Sequence, residues 1–165
     1  LAGLTVFAGP NGSGKTSIIQ LLDFDGKANL LEADAIAKRI NPSSPPHAAV
    51  AAGREVLRRT KEYLSAGEDF GIETTLAGSW TNTVIRSALQ SGFFVKLIFI
   101  CVDNPERSIQ RVRERVAQGG HDVPENGIRR RYSRSLLNVR KVMNVVNQSL
   151  SYANSGTTRA RRQYC

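Results

Sequence analysis

The sequence predicts an α/β fold with a central parallel sheet flanked by helices. Two observations carry this expectation. Short β-like runs alternate with helix-like runs along the chain, and the first run, Leu4-Thr5-Val6-Phe7-Ala8, passes straight into a glycine-rich loop and then a helical segment. A length of 165 residues corresponds to one domain, since domains average ~150 residues. A chain of that size buries roughly two-thirds of its unfolded surface in one core, so it requires no disulfide staples. No internal repeat or long linker interrupts residues 1–165, and a single domain is expected.

Taken in order, Gly9 to Gly14 forms the loop and Lys15 to Leu22 a short helix. Asn29 to Glu32 reads as a second, weaker strand that ends near Asp34. Ser43-Ser44-Pro45-Pro46 marks a helix entrance, and apolar residues at Val50, Val56, Leu57 and Leu64 suit a long surface helix. Phe70 to Thr74 is a third strand, followed by a helix from Ser79 to Gln90 that Ser91-Gly92 stops. Phe94 to Val102, rich in Val, Ile and Phe, is the clearest strand. Pro105 fits the first turn of the next helix, which runs to about Gln118, where Gly119-Gly120 breaks it. Pro124 opens a last helix to roughly Val145, and the polar, basic residues 156–165 are expected to fray.

Composition narrows the function classes. Hydrophobic residues at 41% and charged residues at 22% exclude a disordered chain. No apolar run approaches the ~20 residues of a membrane helix, and Leu4 to Ala8 does not lead into a cleavage site. A cytoplasmic protein is expected, without membrane partners. Residue 1 is Leu rather than Met, so the start is expected to be trimmed. Cys101 and Cys165 are too few for a disulfide framework or a zinc site, and reduced thiols are expected. His47 and His121 lack partners at metal-ligand spacing. The net charge of +9 suits nucleic acid, an acidic membrane surface or a phosphorylated substrate.

Gly9-Pro10-Asn11-Gly12-Ser13-Gly14-Lys15-Thr16 matches G-x-x-x-x-G-K-[ST] in full, between a strand and a helix. Such glycines let successive backbone N–H groups surround phosphate oxygens. Gly9, Asn11, Gly12, Ser13, Gly14, Lys15, Thr16 and Ser17 are therefore the candidate nucleotide-binding residues. Lys15 would reach the β- and γ-phosphates of ATP, and the Thr16 hydroxyl would ligate Mg²⁺.

Phosphoryl transfer to an acceptor also needs a carboxylate at the acceptor hydroxyl and cations around the moving phosphate. Asp34, after the second strand, suits the first role, or an N-cap for a helix beginning Ala35-Ile36-Ala37. Glu73, ending an apolar strand, suits a substrate or Mg²⁺-water ligand, or an exposed edge-strand position. Asp103 reads as a cap for the helix after it. Trp80 could wall a substrate pocket or pack between helix and sheet.

Arg107, Arg111 and Arg115 repeat at i, i+4 and share one helix face. Gly119-Gly120-His121-Asp122-Val123-Pro124 forms a hinge-like loop at residues 119–124, and Arg130, Arg131 and Arg134 follow. Two arginine-bearing helices joined by such a loop predict a lid that delivers charge to a transition state and excludes water.

The phosphate loop, Glu32-Ala33-Asp34-Ala35-Ile36-Ala37, Ile72-Glu73-Thr74-Thr75-Leu76 and Gly119-Gly120-His121-Asp122-Val123-Pro124 occur in one order, followed by Ile128-Arg129-Arg130-Arg131-Tyr132-Ser133-Arg134-Ser135-Leu136. Together they resemble the short members of the zeta-toxin family of P-loop kinases. The resemblance implies a nucleoside-kinase-like fold using ATP and Mg²⁺. It also implies transfer to the 3′-hydroxyl of the sugar in UDP-N-acetylglucosamine, and an antitoxin partner. Carried over by position, Asp34 would be the base, Lys15 would hold the γ-phosphate, Glu73 and Thr74 would bind the acceptor, and Arg115 and Arg131 would stabilise transferred charge. Two departures stand out. The chain is shorter than the larger toxins, and Ser151-Tyr152-Ala153-Asn154-Ser155-Gly156 carries Ala153 where short relatives have an acid.

Other readings keep the chemistry and change the acceptor, to a nucleoside, a sugar or a polynucleotide 5′ end. Nucleic acid is the less favoured partner because aromatics are only 7% of the chain and form no stripe with basic residues. A non-catalytic ATP-binding relative is the remaining alternative.

Overall fold

The computed structural model describes residues 1–120 and 122–154, and the backbone of residues 161 and 162. Its sheet runs in the order β2-β3-β1-β4-β5-β6. Strand β1 (Gly3–Ala8) lies between β3 (Phe70–Thr74) and β4 (Phe94–Cys101), parallel to both. Strands β2 (Leu30–Glu32) and β5 (Gln148–Ala153) extend the parallel sheet on either side. The last strand, β6 (Arg161–Arg162), pairs antiparallel with β5. The remainder of the frayed-tail expectation, with His121, Ser155, Gly156 and Cys165, lies outside the described residues.

Strand alternation divides the core between two faces. On one face Leu4, Val6, Leu31, Phe70, Ile72, Val95, Leu97 and Phe99 meet the buried sides of four helices. These are α2 (Ala33–Ile40), α3 (Ala49–Ala66), α4 (Trp80–Gln90) and α6 (Glu125–Met143). On the other face Phe7, Ile98 and Ile100 pack with Ile19 of α1 (Lys15–Leu21). Burial on both faces explains why β4 reads as an unbroken apolar run rather than an alternating one. Among the described residues, no helix is long and apolar enough to cross a membrane.

The long surface helix differs from its expected packing. A short 3₁₀ turn over Pro45–Ala48 precedes α3, and the residues α3 buries are Ala52, Val56 and Thr60. Val50 and Leu57 face outward instead. Small side chains decide this, because Ala37, Ala48 and Ala52 let α2 and α3 approach closely and join one core.

Helix α5 (Pro105–Ala117) has its cap one residue later than expected. Asn104 is the N-cap, its Oδ1 accepting the Arg107 N–H at 2.9 Å. Asp103 instead pairs with the Arg107 guanidinium at 2.9 Å. At the other end Gly119, with φ of 84°, donates its N–H to Val116, and Gly120 donates to Arg115, each at 2.9 Å. That pair of bonds is a Schellman cap, so the double glycine first serves as a helix stop. Ile109, Val112, Val123 and Ile128 then seal α5 to α6.

Strand β5 escaped sequence reading. Polar residues fill half of Gln148-Ser149-Leu150-Ser151-Tyr152-Ala153, and its pairing comes from β4 rather than from its own propensity. Asn147 starts that pairing: its N–H reaches the Val95 carbonyl at 3.0 Å and its Oδ1 accepts the Val95 N–H at 2.8 Å. Asn147→Ala, which removes the side-chain acceptor, should therefore cost about 1 kcal/mol of unfolding free energy in urea titration. A loss below about 0.3 kcal/mol would show that β5 registers without it.

Candidate active site

Parallel strands place their C-terminal ends at one edge of the sheet, and ligand crevices form there. Here the ends of β1, β2 and β3 deliver the loop of residues 9–14, Glu32 and Glu73 to one open cleft of about 770 Å³. Asn11, Gly12, Gly14, Lys15, Thr16 and Ser17 line this cleft. Gly9 and Ser13 are buried beneath it, and the Gly9 N–H is held by the Thr74 carbonyl at 3.2 Å. Gly14 has φ of 94°, and a Cβ there would lie 2.5 Å from Asn154 Nδ2, so only glycine fits.

Lys15 is buried, and its ammonium donates to the Gly9 carbonyl at 2.9 Å and the Pro10 carbonyl at 3.1 Å. Glu73 Oε1 completes its environment at 3.2 Å. Glu73 is therefore not an edge-strand residue, since β3 is paired on both sides and its carboxylate faces the loop. Asp34 lines the cleft in the first turn of α2. It is not the N-cap, because the helix begins at Ala33 and Glu32 holds the cap position.

Glu32 is the residue that the sequence reading missed. It stands in register with Glu73 on the neighbouring strand, so both carboxylates share one side of the sheet. Burial, and next the nearby charges of Glu73 and Asp34, raise the Glu32 pKa above the ordinary carboxyl value, with Arg39 opposing. A sequence signal existed: like Glu73, Glu32 ends a run of apolar residues.

Thr74 borders the cleft, but its hydroxyl is engaged inside the turn. It accepts the Leu76 N–H at 3.0 Å and meets the Thr81 hydroxyl at 3.1 Å. Leu76 takes φ of 56°, an uncommon conformation for a branched side chain, and is fully buried. Its carbonyl accepts from Asn138 Nδ2 of α6 at 2.8 Å. The turn thus fastens α6 to the strand edge, and Trp80 beyond it both lines the cleft and packs on the core.

The arginine stretch separates into two groups. Arg111 and Arg115 of α5 and Arg130, Arg131 and Arg134 of α6 line the cleft, with Glu114 beside them. Arg113 pairs with Glu125 and Arg129 with Glu106, cross-linking the two helices. The shared face of Arg107, Arg111 and Arg115 is also divided in use. Arg107 turns to Asp103, while Arg111 reaches the phosphate loop.

A sequence model of the AAA domain family (AAA_33) matches residues 4–135, most of the chain. The chain belongs to this AAA-domain family. An uncharacterized protein of Haemophilus influenzae is 32% identical over 126 residues, covering 76% of this chain and 89% of its own. Among solved structures, the AvrRxo1-ORF1:-ORF2 crystal structure with ATP has a TM-score of 0.72 at 13% identity. It covers 93% of this chain, which spans only 55% of that one. A structure of the PezAT chromosomal toxin-antitoxin system of Streptococcus pneumoniae gives 0.70 at 18% identity, covering 93% of this chain and 68% of its own. At such identities the structures share the fold, a parallel sheet flanked by helices as in P-loop kinases.

In this AAA-domain chain the Glu32 carboxyl generates a stability prediction. A carboxyl whose folded pKa is raised holds its proton more tightly folded than unfolded, so its ionisation opposes folding at neutral pH. Glu32→Gln should raise the thermal midpoint at pH 7.5, and the gain should vanish as the pH falls below the ordinary value of 4.5. A midpoint difference that stays constant across this range in scanning calorimetry would remove ionisation as its cause.

Proposed function

We propose that the protein is an ATP-dependent kinase that moves the γ-phosphate of Mg-ATP to a hydroxyl of a small molecule. The observation that carries this reading is one cleft lined by the Lys15–Glu73 pair, Asp34 and five arginines. The glycine cradle fits a polyphosphate, and the Ser13 hydroxyl, a donor available to phosphate, lies buried there without a hydrogen-bond partner. Lys15 would exchange its loop carbonyls for phosphate oxygens, and Thr16, exposed at the start of α1, would hold Mg²⁺. Bound there, Mg²⁺ would supply charge neutralisation to the transferring phosphate.

In the transfer, the bond between the γ-phosphorus and the β,γ-bridging oxygen breaks as the acceptor oxygen bonds to that phosphorus. Asp34 would orient the acceptor hydroxyl and take its proton. Glu73 would position the acceptor, and Arg115 and Arg131 would stabilise the migrating charge from α5 and α6. The zeta-toxin resemblance favours a sugar nucleotide such as UDP-N-acetylglucosamine, whose diphosphate suits the arginine wall. It also favours an antitoxin as protein partner and a cytoplasmic site of action. The acidic group of Glu32, Asp34 and Glu73 supports a second reading, in which the acceptor is an uncharged sugar or nucleoside.

Phosphorus NMR with Mg-ATP and UDP-N-acetylglucosamine tests the first reading: a new phosphomonoester resonance requiring both compounds is expected. ADP and inorganic phosphate alone would reject that acceptor. Lys15→Ala should abolish transfer. Asp34→Asn should keep ATP affinity within about twofold while slowing transfer by about 10²–10⁴-fold. Arg115→Ala and Arg131→Ala should each slow it by about 10²-fold, and normal turnover in both would take the arginine wall out of the chemistry.

A further inference from the structure

Strand β5 is followed by Asn154, whose side chain points back to the phosphate loop. Its Nδ2 donates to the Ser13 carbonyl at 2.9 Å, 141 positions earlier in the chain. Its own N–H is fixed on the Cys101 carbonyl at 2.8 Å. Arg111 of α5 completes the arrangement. One guanidinium nitrogen, Nη2, reaches the Asn154 carbonyl at 3.2 Å and Asn154 Oδ1 at 3.3 Å, while Nη1 reaches the Gly12 carbonyl at 3.3 Å.

In a trans peptide the C=O and the following N–H point in opposite directions. Holding the Ser13 carbonyl outward therefore turns the Gly14 N–H toward the interior of the loop, where phosphate oxygens are received. The Gly12 carbonyl, held by Arg111, leaves the Ser13 N–H for the Pro10 carbonyl at 3.2 Å, closing the turn inside. Both anchors sit on loop carbonyls, so neither consumes a donor that a phosphate needs. We infer that Arg111 and Asn154 are a coupled pair of positioning residues that preset the Gly14 N–H for a nucleotide β-phosphate. The inference rests on the nucleotide reading above and extends it to two residues outside the glycine motif.

Asn154→Ala removes the donor to Ser13. Asn154→Asp removes it too, but keeps the acceptor for Arg111, so a purely structural role would survive the second change. The experiment is calorimetric titration of each full-length variant with Mg-ADP, beside its thermal midpoint. Both Asn154 variants should bind Mg-ADP about tenfold more weakly, and Asn154→Asp should melt within about 2 °C of the unaltered protein. Arg111→Met should also weaken binding about tenfold, and the Arg111→Met, Asn154→Ala double variant should fall well short of a hundredfold loss, because Arg111 holds Asn154.

Unchanged affinity in Asn154→Asp, or a full hundredfold loss in the double variant, would overturn the coupled pair. Should Asn154→Ala not fold, the Asn154→Asp and Arg111→Met titrations decide alone. If the unaltered protein does not bind Mg-ADP, the nucleotide reading itself fails. If it binds and the Asn154 variants match it, only the positioning role fails.

Discussion

Everything at the cleft depends on β1 being enclosed by parallel strands on both sides. Leu4, Val6, Phe7 and Ala8 are fully buried, so the strand can neither slip in register nor tilt without opening the core. That register sets Phe7 against Glu73 on one side and against Ile98 on the other. The loop after Ala8 consequently emerges at the same level as the end of β3. Lys15 reaches Glu73 because two strand ends are aligned, although 58 positions separate the residues.

The cleft holds groups of both charges. Glu32, Asp34 and Glu73 line it from the ends of β2 and β3 and the start of α2, and arginines line it from α5 and α6, with Glu114 among them. Neither group would be comfortable alone. Burial, and next the charges of Glu73 and Asp34, oppose ionisation of Glu32, and the arginines are like-charged neighbours. Keeping them apart requires a stiff scaffold, supplied by the apolar seal between α5 and α6 and by the Glu106–Arg129 and Arg113–Glu125 pairs. Among the basic residues of this stretch, Arg113 and Arg129 hold the two helices together, Arg107 pairs with Asp103, and others border the cleft.

Most of the architecture was legible because its signals were local. The apolar run of β4, the glycine motif, and the proline and glycine punctuation of α5 each state their structure within a few residues. Glu73 and Asp34 were legible as cleft residues because one ends a strand and the other follows one. What stayed hidden was set by distant partners. The strand β5 draws its conformation from β4, and Asn154 becomes meaningful only once β5 lies beside β4 and the loop. Arg111 looked equivalent to Arg107 by helical spacing, yet the turn of the phosphate loop distinguishes them. The Thr74 hydroxyl was readable as a cleft group, but the left-handed backbone at Leu76 draws it into the turn. Asp103 and Asn104 are both good caps by type, and only the geometry of the first turn chooses between them.

The span between Ser13 and Asn154 has a consequence for biosynthesis. A chain emerging from a ribosome presents its glycine loop before the strands β3, β4 and β5, and domains consolidate as units once their contacts are available. Strands β1, β3 and β4 can associate before β5 has been translated, but the carbonyl of Ser13 must wait for a partner 141 positions downstream. Long-range contacts of this kind are slow to close. The loop, made before β3, β4 and β5, is thus completed only after β5, and a nascent chain stopped before Asn154 holds the sheet's centre without the bond that fixes the loop.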